Sequence, residues 1–380
     1  MTRGPQSLGR RMVERYFRLA PVTVPLYAVL IASLVGAVFI LGAGANPLTA
    51  YAALFDGALG SPERIATTIG RATPFMIAAL AVALGFKAGL FNIGAEGQLL
   101  LGALTAAWVG TWSWLADLPA VLAIPFVLFA GMLGGLLWGG VPGVLKAKTG
   151  AHEVITTIML NSIAAALAQY LIVSRDPVLL IDETGSTPHT RTIAESARLP
   201  ALVEGTGLHL GILLALLLCV ATYLVLKRTT PGFEIRTVGA SKDAALYAGI
   251  PVQRTIIVVM AASGALAGIA GAAEVSGGSS GYLTPGAFTN IGFDSIAIAL
   301  LARGNPLAVV PAALLWGALL SGAPLMQVEA DLSVDLVRIV QALIILFVAA
   351  DAIVRRLFRI RAPRGALDGS PATFSRGWGG

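Results

Sequence analysis

Apolar residues in this chain gather in long unbroken runs rather than at the 3.6-residue or two-residue period of half-buried helices and strands. The first, Pro21–Gly44, is about 24 residues, or about 36 Å as a helix, enough to cross a hydrocarbon core of about 30 Å. Further runs follow, each bounded by charge, Pro or Gly: Thr67–Phe86, Ile93–Leu115, Leu118–Leu145, Val154–Val173, Leu208–Leu226, Thr255–Ala273, Ile291–Ala302, Leu307–Ser321 and Leu336–Phe358. Ile291–Ala302 and Leu307–Ser321 are too short to span alone, at about 18 and 22 Å of helix. Broken or re-entrant helices are tolerated at membrane depth where protein or a water-filled cavity surrounds them, although a plain short buried helix reads the same way. The pattern predicts an all-α polytopic membrane protein of about ten transmembrane segments, some short or broken.

Composition removes the soluble alternatives. Hydrophobic residues make up 56% and charged residues 12%, with a mean hydropathy of +0.82; soluble domains carry about 25% charge. No soluble domain of this length buries so much apolar surface. The positive excess of six sits on loops and ends, so it reads as a topology signal and not as a nucleic-acid surface. Arg3, Arg10, Arg11, Arg15 and Arg18 precede the first run. That resembles a signal peptide with a small-residue cleavage site at Ala43-Gly44-Ala45. The apolar core exceeds the usual h-region of about 7–15 residues, however, and an uncleaved first span is expected.

With ten crossings and both termini cytoplasmic, only Arg64, Arg71, Arg175, Arg191, Arg198 and Arg338 of the 26 Lys and Arg fall outside, as the positive-inside rule requires. Residues 1–20 are then a basic cytoplasmic N-terminus and 21–358 the transmembrane domain. Residues 359–380 form a cytoplasmic tail, rich in Gly, Ser and Pro, that reads as disordered. The outer loop Ser174–Gly207 is polar and mildly acidic, with Asp176, Asp182, Glu183, Glu195 and Glu204. The loop 227–254 is the one sizeable cytoplasmic connection.

No residue constellation reads as catalytic. Gly143-Val-Leu-Lys-Ala-Lys148-Thr149 superficially resembles a phosphate loop, but Ala147 stands where the glycine before the lysine is needed, and the spacing to an earlier glycine is wrong. His152, His189 and His209 are scattered without a metal-ligand partner, so no metal site is expected. Cys219 lies alone in an apolar run and permits no intrachain disulfide.

Polar residues at membrane depth are functional candidates by default. The densest group is Phe91-Asn92-Ile93-Gly94-Ala95-Glu96-Gly97-Gln98, where Asn92, Glu96 and Gln98 supply donors and acceptors and the glycines allow close approach or unwound backbone. Helix packing with a solvated interfacial Glu is the plainer alternative. Glu274, with Asp294-Ser295 at the start of a short run, forms a second group; Asp294 is equally suited to a helix N-terminus. Glu153 and Asn161 open the fifth run, Asn161 expected toward the bundle interior and Glu153 at the interface. In the cytoplasmic loop, Thr230-Pro-Gly232-Phe233-Glu234-Ile235-Arg236-Thr-Val-Gly239 leads to Asp243-Ala244-Ala245-Leu246-Tyr247-Ala248-Gly249-Ile250. Ala244–Tyr247 favours a short helix, with Gly239 and Gly249 as turns on either side. Such a helix can lie along the membrane and dock in a partner's groove, or be a solvated connector.

Three of these segments carry a family resemblance. Phe91-Asn-Ile-Gly-Ala-Glu-Gly-Gln98 resembles the signature of permease subunits of ATP-binding-cassette importers for nucleosides and simple sugars, within the branched-chain amino acid and ribose permease superfamily. Gly232–Ile250 resembles that family's coupling segment, and Gly292-Phe-Asp-Ser-Ile-Ala-Ile-Ala-Leu-Leu301 with Asn305-Pro306 its late signature. The resemblance runs from about Ser61 to about Asp351. Ser241-Lys242 departs from it, since relatives often have Asn-Pro there.

The resemblance implies an inner-membrane, multi-pass permease that binds no cofactor of its own, with ATP and magnesium held by a separate ATPase subunit. It also implies a related second permease and an extracytoplasmic, periplasmic or lipid-anchored, substrate-binding protein. Asn92, Glu96, Gln98, Asn161, Glu274, Asp294 and Ser295 would line or shape the substrate pathway. Gly232, Phe233, Arg236, Gly239, Asp243, Ala244, Ala245 and Gly249 would couple it to the ATPase. A nucleoside is the first expectation for the solute, a pentose or other simple sugar the second, a branched-chain amino acid the third. A proton-coupled secondary transporter, with Glu96 and Asp294 as coupling groups, is the rival from another class.

Overall fold

The computed structural model describes residues 30–349. The expectations for the basic segment 1–20, the start of the first span, the end of the last and the tail 359–380 lie outside the described residues. In chain order the helices are α1 (Leu30–Gly42), α2 (Pro47–Leu59), α3 (Pro62–Lys87), α4 (Ala95–Gly110), α5 (Ala120–Thr149), α6 (Glu153–Val173) and α7 (Gly211–Arg228), followed by α8 (Thr230–Ala240) and α9 (Lys242–Tyr247). Then come α10 (Val252–Gly277), α11 (Ile291–Leu301), α12 (Pro306–Glu329) and α13 (Val334–Ala349). Six of these, α3, α5, α6, α7, α10 and α12, are long and apolar enough to cross a membrane, and α1 with α2, bent by 119°, make a seventh candidate.

The apolar runs located most spans, but three differ from expectation. Leu307–Ser321, read as too short, is the front of α12, a helix of 24 residues that runs on to Glu329 through Pro324. Neighbouring helices let a membrane helix carry such a proline. Ile93–Leu115, read as a full span, is the 16-residue α4 followed by a single 3-10 turn at Ser113–Leu115. Helix α2 gave no separate apolar run, because Tyr51 and Asp56 interrupt it. Nor is the chain entirely helical: β1 (Ala201–Val203) pairs antiparallel with β2 (Leu208–His209), so the run read as beginning at Leu208 is strand before it is helix.

The residues divide into two compact units. In the smaller, residues 30–57 and 322–349, the Tyr51 hydroxyl donates to the Ser33 carbonyl at 2.7 Å. Gly57 lies against the backbone of Gly322, so the helices there approach without intervening side chains.

The larger unit, residues 58–321, is organised around α10. Helix α5 carries Gly131, Gly135, Gly139 and Gly143 at four-residue intervals, all on one face. A Cβ on Gly135 would overlap the Gly264 carbonyl oxygen, and one on Gly139 would meet the backbone of Met260 and Gly264. Gly131 faces Gly268 and Ala272, so α5 and α10 run antiparallel in backbone contact. Gly102 of α4 packs on the Cα of Gly268 from another side, making Gly268 the junction of three helices. Helices α3, α4 and α10 supply most of the buried core, including Met76, Ile77, Leu80, Leu99 and Met260.

One end of this unit is basic and the other aromatic. Lys87, Lys146, Lys148, Lys227 and Arg228 close α3, α5 and α7 beside α8 and α9. At the opposite end Trp108, Trp112, Trp114 and Phe126 cluster, with centroids 5.2–6.4 Å apart, as interfacial aromatics do. There the segment 174–207 is a built element, not a free connector. Its backbone amides at Thr190, Ile193, Ala194 and Leu199 donate to carbonyls of Leu283, Gly281, Gly110 and Ser276 at 2.8–2.9 Å, and His189 stacks on Tyr282 at 4.4 Å.

His209 is buried beneath Gly277, and its Nδ1 accepts the Gly211 amide at 3.1 Å. That bond requires an unprotonated Nδ1, and burial holds the imidazole below the usual histidine range.

Two outcomes follow from this packing. By helix propensity alone Gly→Leu should stabilise a helix by up to about 1 kcal/mol. At Gly135 it should instead destabilise by at least about 3 kcal/mol through overpacking. At Gly140, which has nothing within 4 Å of an added Cβ, it should be tolerated; thermal loss of the monodisperse peak in size-exclusion chromatography compares the two. For His209, the unfolded ring protonates near pH 6.5 while the folded ring stays neutral. Stability is therefore complete above about pH 7 and declines as pH falls through about 6.5. His209→Asn, whose Oδ1 can replace Nδ1 as acceptor, should flatten that slope in melting curves.

Candidate functional site

Helix α4 begins inside the bundle because the chain folds back after α3. Gly89 adopts φ of 68°, a left-handed conformation that favours glycine, and the Leu90 amide returns to the Gly85 carbonyl at 3.0 Å. The turn carries Asn92 inward, where it is 0% exposed. Its Nδ2 donates to Gln98 Oε1 at 2.9 Å and to Ser263 Oγ on α10 at 2.7 Å. Its Oδ1 accepts from the Gly94 amide at 3.0 Å and from Gln98 Nε2 at 3.1 Å. Ser263 in turn donates to the Ala81 carbonyl of α3. Asn161 of α6 does the same work from the other side: Oδ1 accepts the Gly97 amide and Nδ2 donates to the Ile93 carbonyl, both at 2.9 Å.

Asn92, Gln98 and Asn161, expected on the pathway, are thus brought together, and their side-chain bonds run to other parts of the protein. They tie α3, α4, α6 and α10 into one piece around Gly94. Ser263 belongs to this network too. A lone serine in the apolar run of α10 offered little signal for it.

Glu96 has a different role. It stands in the first turn of α4 and reaches across to the first turn of α11, where Oε1 accepts the Asn290 amide at 2.6 Å and Oε2 the Gly292 amide at 2.7 Å. Amides exposed at a helix start favour a carboxylate. Gly292 is required here, since a Cβ would overlap the backbone of Glu96. Asp294, two residues beyond the Gly292 amide that Glu96 holds, is half-exposed, and its carboxylate makes no hydrogen bond or ion pair among the described residues. Ser295 is buried and bonded to its own helix at Ile291. Glu274, near the end of α10, is half-buried, and its carboxylate makes no hydrogen bond or ion pair among the described residues. Glu153, expected at the interface, is a correction: it is 9% exposed and pairs with Lys146 at 2.8 Å. Lys146 closes α5 and Glu153 opens α6, so the pair ties the ends of two consecutive helices together.

At the basic end, α8 and α9 form two short helices in place of the single one expected. Thr229 caps α8 through the Gly232 amide at 3.2 Å, and Ser241 caps α9 through the Ala244 amide at 3.2 Å. Gly239 is not a turn but lies within α8, against the Lys87 carbonyl at the end of α3, while Gly232 lies against Val225 and Leu226. Gly249, at φ of 75°, does make the expected turn. Val238, Ala245 and Ile250 pack between the helices. Phe233, Arg236, Asp243 and Ala244 face outward, as do Leu246 and Tyr247, the latter 93% exposed; Asp243, Leu246 and Tyr247 line a shallow depression. Leu246 and Tyr247 were legible as helix formers in a segment able to dock; that these two side chains are the ones turned outward shows only in the structure.

Among the described residues no three His, Cys, Asp or Glu side chains gather in a metal-holding group. Replacing Asn92 with Leu should leave the Gly94 amide and Gln98 without their partner and Ser263 with only the Ala81 carbonyl. The expected penalty is about 3 kcal/mol, read as loss of folded protein with uptake per folded molecule retained.

The family described as branched-chain amino acid transport system / permease component matches residues 64–349. The guanosine ABC transporter permease protein NupP of Bacillus subtilis is 41% identical over 349 residues, 92% of this chain and 99% of its own. The nucleoside ABC transporter permease protein NupB of Lactococcus lactis subsp. cremoris is 37% identical over 94% of this chain and 97% of its own. The glucose ABC transporter permease protein TsgB13 of Haloferax volcanii is also 37% identical, over 87% and 88%. An agreement that covers both half-length helices, the outward pair α8–α9 and nearly every described residue makes this chain a member of the branched-chain amino acid transport system permease family, and a membrane protein.

Proposed function

We propose that this chain is a pathway-forming subunit of an ATP-driven importer for nucleosides, with ATP and magnesium bound by a separate ATPase. The carrying observation is the pair α8–α9, with α8 seated by backbone contacts on α3 and α7 and Phe233, Leu246 and Tyr247 turned outward. An exposed apolar and aromatic patch at a basic membrane face suits docking to a partner. The guanosine and nucleoside relatives favour the nucleoside; the glucose relative keeps a simple sugar as second reading. A self-sufficient proton-coupled carrier has no use for such a patch.

The topology that goes with this reading has ten crossings, with α4 and α11 as half-length members, both termini in the cytoplasm and the basic end inside. The transmembrane domain is 21–358, flanked by the cytoplasmic segments 1–20 and 359–380. A second permease and an extracytoplasmic binding protein complete the assembly, the latter facing the 174–207 element. ATP-driven closure of the ATPase would press on α9 and Arg236, and α8 would carry the movement through Gly239 to the end of α3. Glu96, Glu274 and Asp294 border the solute path; Asn92, Gln98, Asn161 and Ser295 hold its walls.

Gentle purification of the tagged chain from its host should recover an ATPase, a second permease and a binding protein. Proteoliposomes of that complex should take up labelled guanosine, with unlabelled guanosine competing and glucose not. Competition by glucose alone would move the reading to a sugar; transport by the isolated chain without ATP would end it. Leu246→Glu with Tyr247→Glu should reduce ATPase recovery and uptake by about tenfold or more at unchanged membrane content. Gly239→Ala should leave the ATPase bound but impair uptake.

A further inference from the structure

The turn before α4 and the turn before α11 carry the same sequence pattern. Asn92-Ile93-Gly94-Ala95-Glu96 and Asn290-Ile291-Gly292-Phe293-Asp294 share Asn, Ile, Gly and an acid at identical spacing. Their surroundings match as well. Each pattern follows a 26-residue helix, α3 or α10, and each opens a shorter apolar helix, α4 or α11. Helices α3 and α10 are antiparallel: Gly70 near the start of α3 lies at Gly207 and Leu208, Gly277 at the end of α10 lies at His209, and Ile256 near the start of α10 clusters with Leu84 and Ala88. The short helices are exchanged between them, for α4 packs on α10 and α11 packs on α3. Two units of opposite direction, each lending its half-helix to the other, have the form of an inverted repeat.

The two acids occupy equivalent positions but unequal states. Glu96 holds the amides of Asn290 and Gly292 at 2.6 and 2.7 Å. Asp294, its counterpart, holds nothing among the described residues. On the other side, the start of α4 is served by neutral amides, Asn92 for Gly94 and Asn161 for Gly97, whereas Asn290 is outward with φ of 72°. Asp294 stands two residues beyond the Gly292 amide that Glu96 holds, and like charges close together at low dielectric disfavour one another.

We propose that Glu96 and Asp294 form a two-position latch for alternating access. In the conformation described, Glu96 clasps the start of α11; in the opposite one Glu96 lets go and Asp294 clasps the start of α4. The inference rests on the permease reading, and it assigns to the acids a positioning role and not contact with solute.

The test uses the complete transporter in membrane vesicles, in a Cys219→Ser background that removes the one native cysteine. Single reporters Phe91→Cys and Thr289→Cys, at equivalent positions of the two turns, are labelled with a membrane-impermeant maleimide at rest and after ATP–vanadate trapping. Glu96→Gln keeps the shape but removes the charge, which roughly halves each clasping bond. It should shift the ratio of the two labelling rates by about tenfold. Asp294→Asn, which breaks no bond in the present conformation, should shift the ratio in the opposite sense. Shifts in the same sense, or Asp294→Asn without effect on either rate, would overturn the latch. Lost uptake with unchanged labelling would also overturn it, leaving the permease reading intact; opposed labelling shifts in a complex that takes up no nucleoside would support the latch and sink the substrate.

Discussion

Everything in the larger unit depends on how closely α5 and α10 approach. Inside a bilayer the lipid tails are as apolar as leucine, so the hydrophobic effect does not press helices together; packing and interhelical bonds must. The four glycines of α5 bring the two backbones together over about three turns, with Gly264 and Gly268 opposite. Because α4 docks on Gly268 as well, the position of the Asn92 turn, and through Glu96 that of α11, follows from this one interface. A side chain on either face would push apart the polar groups whose bonds of 2.6–3.1 Å hold the centre.

Those polar groups belong to a solvent where an unpaired amide is expensive. This is why Asn92, Gln98, Asn161 and Ser263 use one another. Residue type and depth made Asn92 and Gln98 conspicuous in the sequence, yet type cannot tell a wall from a binding surface. That distinction depends on partners 64 to 171 residues away, such as Asn161 for Gly97 and Ser263 for Asn92.

The spans were legible because length and apolarity suffice for them. The boundaries were less so where tertiary contacts override local rules. Helix α12 passes through Pro324 although proline reads as a stop, and α4 starts late because Gly89 and the Gly94 turn fold the chain back first. The 174–207 segment looked like a polar connector since its order comes from backbone bonds to Gly110, Ser276 and Gly281, distant in sequence. At α8, Gly239 was conspicuous, but as a turn. Only the neighbouring Lys87 carbonyl explains the missing side chain.

That same contact has a mechanical consequence. A force applied to the outer face of α8 reaches α3 across two peptide backbones, with no rotatable side chain between them to yield. Long side chains would act as springs and absorb small displacements by changing rotamer; Gly239 against Lys87 behaves as a hard stop with little backlash. A displacement of α8 toward α3 would then cross the joint nearly undiminished.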